Sequence, residues 1–196
     1  IFCESTLGDL VSNSLPVAGA GVSAVPGEED VYTFTGPVGQ RVFFDDRTSW
    51  WGAYWVLADP DGVQMFRENL DDNDPGIFRL PKTGTYTLRV TSAYEWAPVG
   101  AYAFKLWLVP DPQSFALTVG TVVSNGVPAA GAGNLESPGA QDVFTFAGTA
   151  GQKVYFNDRG ASFAASWVLL DPNGLPVFRE NLDGYDAGDV VLPLTG

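Results

Sequence analysis

The feature of this chain that most constrains its fold is an internal repeat with a long period. The stretch PGEEDVYTFTGPVGQRVFFDDR at 26–47 returns as PGAQDVFTFAGTAGQKVYFNDR at 138–159, which lies 112 positions later. At this offset 7–84 aligns with 119–196 without a gap, and about half of the aligned residues are identical. A period above ~100 residues is too long for a solenoid repeat, and it predicts tandem globular domains.

Each copy consists of short alternating stretches separated by turn signals. DVYTFTG at 30–36, YWVLADP at 54–60 and VQMFREN at 63–69 alternate as strands do, and Asp-Pro-Asp-Gly between the last two predicts a hairpin turn. The 23 Gly and 14 Pro residues favour short strands over helices. The sequence therefore predicts an all-β fold of two tandem antiparallel β-sandwich domains with jelly-roll or Greek-key-like connections, the first over 1–112 and the second over 113–196.

The two copies differ beyond their shared part. LPKTG at 80–84 is followed by the alternating stretch TYTLRVTS at 85–92 and by a further strand at 101–110, whereas its counterpart LPLTG lies at 192–196. We expect the second domain to be C-terminally incomplete, with an unpaired edge and an open core. A continuation of the chain or a strand donated by a neighbouring subunit would complete it.

The pentapeptide LPxTG resembles the sorting signal that sortases recognise. In the first copy, however, an alternating strand follows it instead of a long apolar span and a basic tail. Pro81 cannot donate a hydrogen bond to a ladder, and Gly84 tolerates a positive φ. The pentapeptide therefore predicts a turn that leads into a strand.

Charge and residue usage exclude several classes of protein. The formal net charge is −13, so we expect no nucleic-acid partner. His is absent, which removes the commonest general base and transition-metal ligand, and enzymatic activity is not expected. No apolar run reaches the ~18 residues of a transmembrane helix, so membrane insertion is not predicted. The single cysteine, Cys3, cannot form an intramolecular disulfide.

Carboxylates retained in both copies form the candidate metal site. Calcium prefers several oxygen ligands on closely spaced loop residues, and the stretches DDR at 45–47 and ENLDDND at 68–74 carry the densest acidic clusters. The candidate ligands are Asp46, Asp71, Asp74 and their counterparts Asp158, Asp183 and Asp186. Calcium is therefore the cofactor that the sequence suggests. The alternative is structural: these side chains would accept hydrogen bonds from the amides of their own turns.

Aromatic residues that occur in one copy only form a second candidate site. Trp55 and Trp167 lie in matching apolar strands, so we expect both in the core. The aromatic residues that the second copy does not retain, or that lie in the loop after 92, could instead stack on a glycan or anchor an interface. These candidates are Trp50, Trp51, Tyr54 and Trp96. The alternative is packing between this repeat and its neighbour.

Several motifs together resemble a known family. GEEDVYTF at 27–34, the hairpin WVLADPDG at 55–62 and LPKTGTYTLRV at 80–90 are similar to bacterial pre-peptidase C-terminal (PPC) domains. The resemblance implies β-sandwich repeats in large secreted or surface proteins, or beside secreted hydrolases. Some relatives bind calcium or extracellular polymers such as collagen, so the resemblance also implies an extracellular or cell-surface location.

The sequence and this resemblance together predict a non-catalytic function. The chain would be a structural or adhesive tandem-repeat segment of a larger bacterial surface or filament-forming protein, and its partners would be neighbouring repeats or identical subunits. Strand donation from such a subunit would complete the second repeat. The alternative is an accessory module of a secreted hydrolase that binds an extracellular polysaccharide or a collagen-like polymer through the aromatic candidates.

Overall fold

The computed structural model shows an all-β chain. The residues that it describes are 2–4, 7–48, 52–92, 99–161 and 164–196. They form strands and turns and contain no helix, as the sequence predicts. No helix that is long and apolar enough to cross a membrane therefore occurs among these residues. The chain separates into two compact units, Ile1–Gln113 with Gly133–Asp142 and Ser114–Ala132 with Val143–Gly196. The domain limits 1–112 and 113–196 stay a prediction.

Two sheets make up most of the first unit. Its strands are β1 (Phe2–Glu4), β2 (Leu10–Val11), β3 (Val22–Ser23), β4 (Glu29–Gly36), β5 (Arg41–Asp46), β6 (Ala53–Ala58), β7 (Gln64–Asn69), β8 (Gly76–Arg79), β9 (Gly84–Ser92), β10 (Gly100–Ala101) and β11 (Phe104–Val109). One sheet has the order β1-β4-β9-β6-β7, the other has the order β2-β11-β5-β8, and β10 pairs with β3. The pairs are antiparallel except that β1 runs parallel to β4.

An aromatic core joins these two sheets. Side chains alternate along each strand, so that every second residue of β4, β5 and β6 is buried. Phe44 of β5 is fully buried, and its ring lies 6.1 Å from that of Trp55 and 5.1 Å from that of Phe66 on the opposite sheet. Tyr32 of β4 meets Phe104 of β11 edge-on, at 5.1 Å between ring centroids. The two sheets of the first unit therefore pack face to face.

The pentapeptide LPKTG is a turn that leads into β9, as predicted. Leu80 is buried, and 81–83 form a bend before β9 begins at Gly84. The Thr83 hydroxyl oxygen accepts a hydrogen bond from the Val38 amide at 2.9 Å. Gly84 packs so closely on Pro60 that an added Cβ would lie 2.7 Å from the proline Cγ. The side chain of Lys82, the variable residue of the motif, is 42% exposed.

LPLTG of the second copy has the same contacts. Leu192 is buried, and the Thr195 hydroxyl oxygen accepts a hydrogen bond from the Ala150 amide at 3.0 Å. A Cβ added to Gly196 would collide with the Cγ of Pro172, as one added to Gly84 would collide with Pro60. Packing and hydrogen bonding thus explain the Leu, Thr and Gly of both pentapeptides.

Short two-stranded ladders follow in the rest of the chain. The strands are β12 (Gln113–Ala116), β13 (Asp142–Thr145), β14 (Lys153–Phe156), β15 (Ser166–Leu170), β16 (Pro176–Asn181) and β17 (Gly188–Val191). They pair as β12 with β13, β14 with β17 and β15 with β16. The offset of 112 equates β13 to β17 with β4 to β8. The described residues contain no second-unit counterparts of β9 and β11, so the predicted second sandwich stays a prediction.

The structure extends the repeat beyond the part that the sequence alignment found. β12 hydrogen-bonds along β13 in a parallel sense, from the Gln113 amide to the Gln141 carbonyl and from the Leu117 amide to the Thr145 carbonyl. At the offset of 112, β12 is the counterpart of β1, which lies parallel to β4. Phe-Cys-Glu at 2–4 and Ser-Phe-Ala at 114–116 differ at every aligned position, so sequence comparison could not detect this strand.

We expect the aromatic core to contribute more stability in the first unit than in the second. Phe44→Ala removes a fully buried ring and should cost about 3–5 kcal/mol. Phe156→Ala, at the equivalent position, should cost less because that ring is only half-buried. Native-state hydrogen exchange of β5 and β14 amides measures both effects separately. Equal losses in the two variants would contradict the expectation.

Candidate functional site

Asp46 fixes the loops at one end of the first unit. It is the last residue of β5, and the alternation of that strand turns its side chain inward, so the carboxylate is buried. Its Oδ1 accepts a hydrogen bond from the Thr48 amide at 2.8 Å. Its Oδ2 accepts bonds from the amides of Asp71 at 2.8 Å and Asp72 at 3.0 Å, in the loop between β7 and β8. One carboxylate therefore connects two loops.

Asp74 completes this arrangement from the other side. Its Oδ1 accepts a hydrogen bond from the Asp46 amide at 2.7 Å. The third predicted ligand of the first unit, Asp71, accepts a hydrogen bond from the Asn73 side-chain amide at 2.9 Å and is part of the exposed loop. The Asp74 carboxylate thus contacts the backbone of Asp46 directly. Asp71 instead donates its own backbone amide to the Asp46 carboxylate.

The second unit repeats the arrangement with different neighbours. Asp158 is buried and accepts hydrogen bonds from the Gly160 amide at 2.6 Å and the Gly184 amide at 2.8 Å. Asp186 accepts a hydrogen bond from the Asp158 amide at 2.7 Å, just as Asp74 accepts one from the Asp46 amide. Asp183 accepts a hydrogen bond from its own loop, from the Tyr185 amide at 3.2 Å. The structural alternative, hydrogen bonding to loop amides, therefore describes the contacts of these carboxylates.

No group of three or more acidic, His or Cys side chains converges to hold a metal ion within the residues that the structure describes. The six candidate carboxylates instead accept hydrogen bonds from loop amides and side chains. Calcium prefers six to eight oxygen ligands. Calcium binding by this chain stays a prediction.

The equivalent carboxyls Asp74 and Asp186 lie in opposite electrostatic settings. Burial raises the pKa of Asp74 above its ordinary value, and the charges of Asp45 and Asp72 raise it further. The pKa of Asp186 is lowered, chiefly because the Tyr155 hydroxyl donates a hydrogen bond to its carboxylate at 2.6 Å. The first unit has Phe43 where the second has Tyr155, and Phe43 has no hydroxyl to donate. Burial likewise raises the pKa of Asp46.

The aromatic candidates are only partly within the described structure. Trp50, Trp51 and Trp96 lie outside the described residues. Tyr54 in β6 is half-buried, and the Arg67 guanidinium carbon lies 4.1 Å from the centre of its ring, a cation–π contact. Arg67 thus covers one face of the ring on which a sugar could stack. Trp55 is fully buried in the core, as predicted, whereas Trp167 is only half-buried.

A buried polar network was not predicted from the sequence. The Tyr102 hydroxyl donates a hydrogen bond to the carboxylate of Asp30, and the hydroxyls of Tyr102 and Tyr32 lie 2.7 Å apart. The Gly21 amide donates to the Tyr32 hydroxyl at 3.0 Å. Burial raises the pKa of Tyr32 to about 12, so its hydroxyl stays protonated at neutral pH. The recurrence of Asp30 as Asp142 in the second copy is a signal in the sequence, but the partner Tyr102 lies 72 residues away.

Comparison with known proteins finds partly similar solved structures of low sequence identity. No family model and no curated protein matches the chain. Similar solved structures include the pre-peptidase C-terminal domain of a collagenase from Bacillus anthracis, which is 17% identical, with a TM-score of 0.39. That match covers 54% of this chain and 94% of the collagenase domain. The family that the sequence motifs resemble is therefore among the structures found.

Two other similar structures are periplasmic inhibitors of g-type lysozyme. A mutant of PliG from Escherichia coli is 19% identical with a TM-score of 0.41, and covers 55% of this chain and 96% of its own. PliG from Salmonella Typhimurium is 20% identical with a TM-score of 0.40, and covers 54% of this chain and 97% of its own.

Removing the Asp46 carboxylate should destabilise the first unit. Asp46→Ala leaves the amides of Thr48, Asp71 and Asp72 without their acceptor, and we expect a loss of about 1–3 kcal/mol. Asp61→Ala is the matched control, because Asp61 is exposed and water screens its ion pair with Lys82, so we expect a much smaller loss of stability. Urea unfolding compares the two variants. A loss for Asp46→Ala no greater than for the control would contradict a bracing role.

Asp74 and Asp186 should titrate on opposite sides of the ordinary Asp pKa. Because the pKa of Asp74 is raised on folding, its stabilising contribution is complete below the unfolded pKa and is lost as pH rises through the folded value. The contribution of Asp186 is present above the unfolded pKa and is lost as pH falls through its lowered value. Carboxyl NMR titration measures both.

Tyr155→Phe provides the control for this titration. It removes the hydroxyl that lowers the pKa of Asp186, so that pKa should rise, while the pKa of Asp74 should not change. Identical titration of the two carboxyls in the unsubstituted chain would show that their different neighbours have no effect.

Proposed function

We propose that this chain is a non-catalytic structural or adhesive segment of tandem β repeats in a larger extracellular bacterial protein. The observation that carries the proposal is the duplicated bracing of loops by Asp46 with Asp74 and by Asp158 with Asp186. In each unit the buried carboxylate accepts hydrogen bonds from amides of its own loops, and a contact repeated in both copies is typical of a structural residue.

The remaining chemistry supports the same proposal. The sequence contains no His, and its retained acidic residues occur in both copies, as structural residues of a repeat do. Paired carboxylates can hydrolyse glycosides when one is free to act as an acid and the other as a base or nucleophile. Asp46 and Asp158 are engaged by backbone amides, which argues against such a role.

An extracellular or envelope location is part of the proposal. The similar structures include a domain of a collagenase and periplasmic inhibitors of lysozyme. These structures and the resemblance of the sequence motifs to PPC domains lead us to propose the same location for this chain. The partners that we propose are neighbouring repeats or identical subunits.

A binding assay separates this proposal from its alternative, a polymer-binding accessory module. The chain should show no saturable co-sedimentation with insoluble polysaccharides or with collagen fibrils. Tyr54→Ser is the matched variant, because the second copy has Ser166 at this position. Saturable binding that this variant weakens, with unchanged unfolding, would overturn the proposal and favour the polymer-binding module.

A further inference from the structure

Two arginines face each other across neighbouring strands of the first unit. Arg41 begins β5 and Arg79 ends β8, and the antiparallel register places them directly opposite each other. Buried residues alternate with Arg41 along β5, so its side chain lies on the outer face of the sheet. Arg79 lies on the same face, because its neighbours Phe78 and Leu80 pack against the core. This face thus carries two positive charges at one cross-strand position.

A like-charged pair at such a position disfavours folding. The chain has 23 acidic and only 10 basic residues, so a carboxylate partner for every arginine is within its means. Among the described residues, however, neither Arg41 nor Arg79 forms an ion pair with a carboxylate. In this part of the chain the repulsion between the two guanidinium groups is therefore left without a paired counter-charge.

The equivalent position of the second unit has opposite charges instead. At the offset of 112, Lys153 takes the place of Arg41. Val191 takes the place of Arg79, so one of the two positive charges is absent. The Lys153 ammonium lies 2.6 Å from a carboxylate oxygen of Asp189, which supplies the counter-charge. The part of the fold that the two copies share therefore does not require a pair of arginines here.

Backbone carbonyls hold the two guanidinium groups in place. Arg41 donates hydrogen bonds to the carbonyl oxygens of Pro110 at 2.9 Å and Gly139 at 3.3 Å. Arg79 donates one to the carbonyl oxygen of Gly39 at 3.1 Å. A guanidinium has five N–H donors, so both side chains keep donors that these contacts do not use. The contacts fix the position of each group without neutralising its charge.

Both arginines line an open groove of about 470 Å³ in the first unit. Its wall includes two apolar side chains that are largely exposed, Val38 at 63% and Leu108 at 53%. Asp111 also lines the groove, and the chain as a whole has a net charge of −13. Because Coulomb repulsion grows with charge, a singly charged anion is tolerated here better than a doubly charged one.

From these observations we infer that the groove lined by Arg41 and Arg79 binds a small amphipathic monocarboxylate. The carboxylate accepts charge-assisted hydrogen bonds from both guanidinium groups, whose planar forks match its geometry. The apolar part of the ligand lies against Val38 and Leu108. Bound carboxylate supplies the counter-charge that the arginine pair lacks. The site goes beyond the proposed function, because the bracing of loops involves none of these residues.

Titration of the whole chain with sodium hexanoate at low ionic strength tests the site. In NMR spectra the side-chain N–H signals of Arg41 and Arg79 and the methyl signals of Val38 and Leu108 should shift together and saturate. The methyl signals of Val191, at the equivalent position of the second unit, should not shift. Hexanol has the tail without the carboxylate and should cause no saturable shift. Acetate and inorganic phosphate should both bind more weakly than hexanoate.

Arg79→Val is the matched variant, because the second unit has valine at this position. Loss of the charge-assisted hydrogen bonds should weaken hexanoate binding by about tenfold or more. Without ligand, the variant should unfold at a higher urea concentration than the unsubstituted chain, because the like-charge repulsion is gone. Arg89→Val is the control: it removes an exposed arginine that pairs with Glu29, and it should leave hexanoate binding unchanged.

Three results would overturn the inference. The first is the absence of a saturable shift with hexanoate, or equal shifts with hexanol. The second is hexanoate binding to Arg79→Val as tight as to the unsubstituted chain, or no gain in the stability of that variant without ligand. The third is tighter binding of phosphate than of hexanoate, which would contradict the selection of a monocarboxylate.

Discussion

The burial of aromatic rings between two sheets is the interaction on which the rest of this structure depends. Phe44 alone contacts the rings of Phe34, Trp55, Phe66 and Phe78, which come from four different strands. Because these strands are far apart in sequence, the rings can meet only when both sheets have formed. The bracing loops and the LPxTG turn lie at the ends of strands whose positions this cluster determines.

Buried carboxylates hold the loops of each unit in place through hydrogen bonds. A strand that stops at the edge of a sandwich leaves backbone amides in its loop without partners, and an inward-facing carboxylate at the last position can accept several of them. Asp46 and Asp158 do this in the two units. Their retention across the repeat agrees with this shared role in holding the loops of each unit.

Much of the fold could be predicted from the sequence because its signals are local or repeated. Alternation indicated the strands, and the recurrence of LPxTG inside the chain indicated a turn. The sequence could not pair Tyr102 with Asp30, nor place Arg67 over Tyr54, because such contacts depend on which strands become neighbours. It also could not separate carboxylates that brace loops from carboxylates that bind calcium, since both need acidic residues in turns. β12 was missed because a short strand without identity to its counterpart leaves no pattern.

The contacts of the LPxTG turn have a consequence for how such a motif arises. Three of its five residues are specified by geometry: the leucine fills the core, the threonine accepts an amide of the neighbouring turn, and the glycine leaves room for a proline ring. The third position faces outward, and there the two copies differ, with Lys82 in one and Leu194 in the other. Packing and hydrogen bonding therefore account for three of the four fixed residues of LPxTG, and the same residues make up the signal that a sortase recognises.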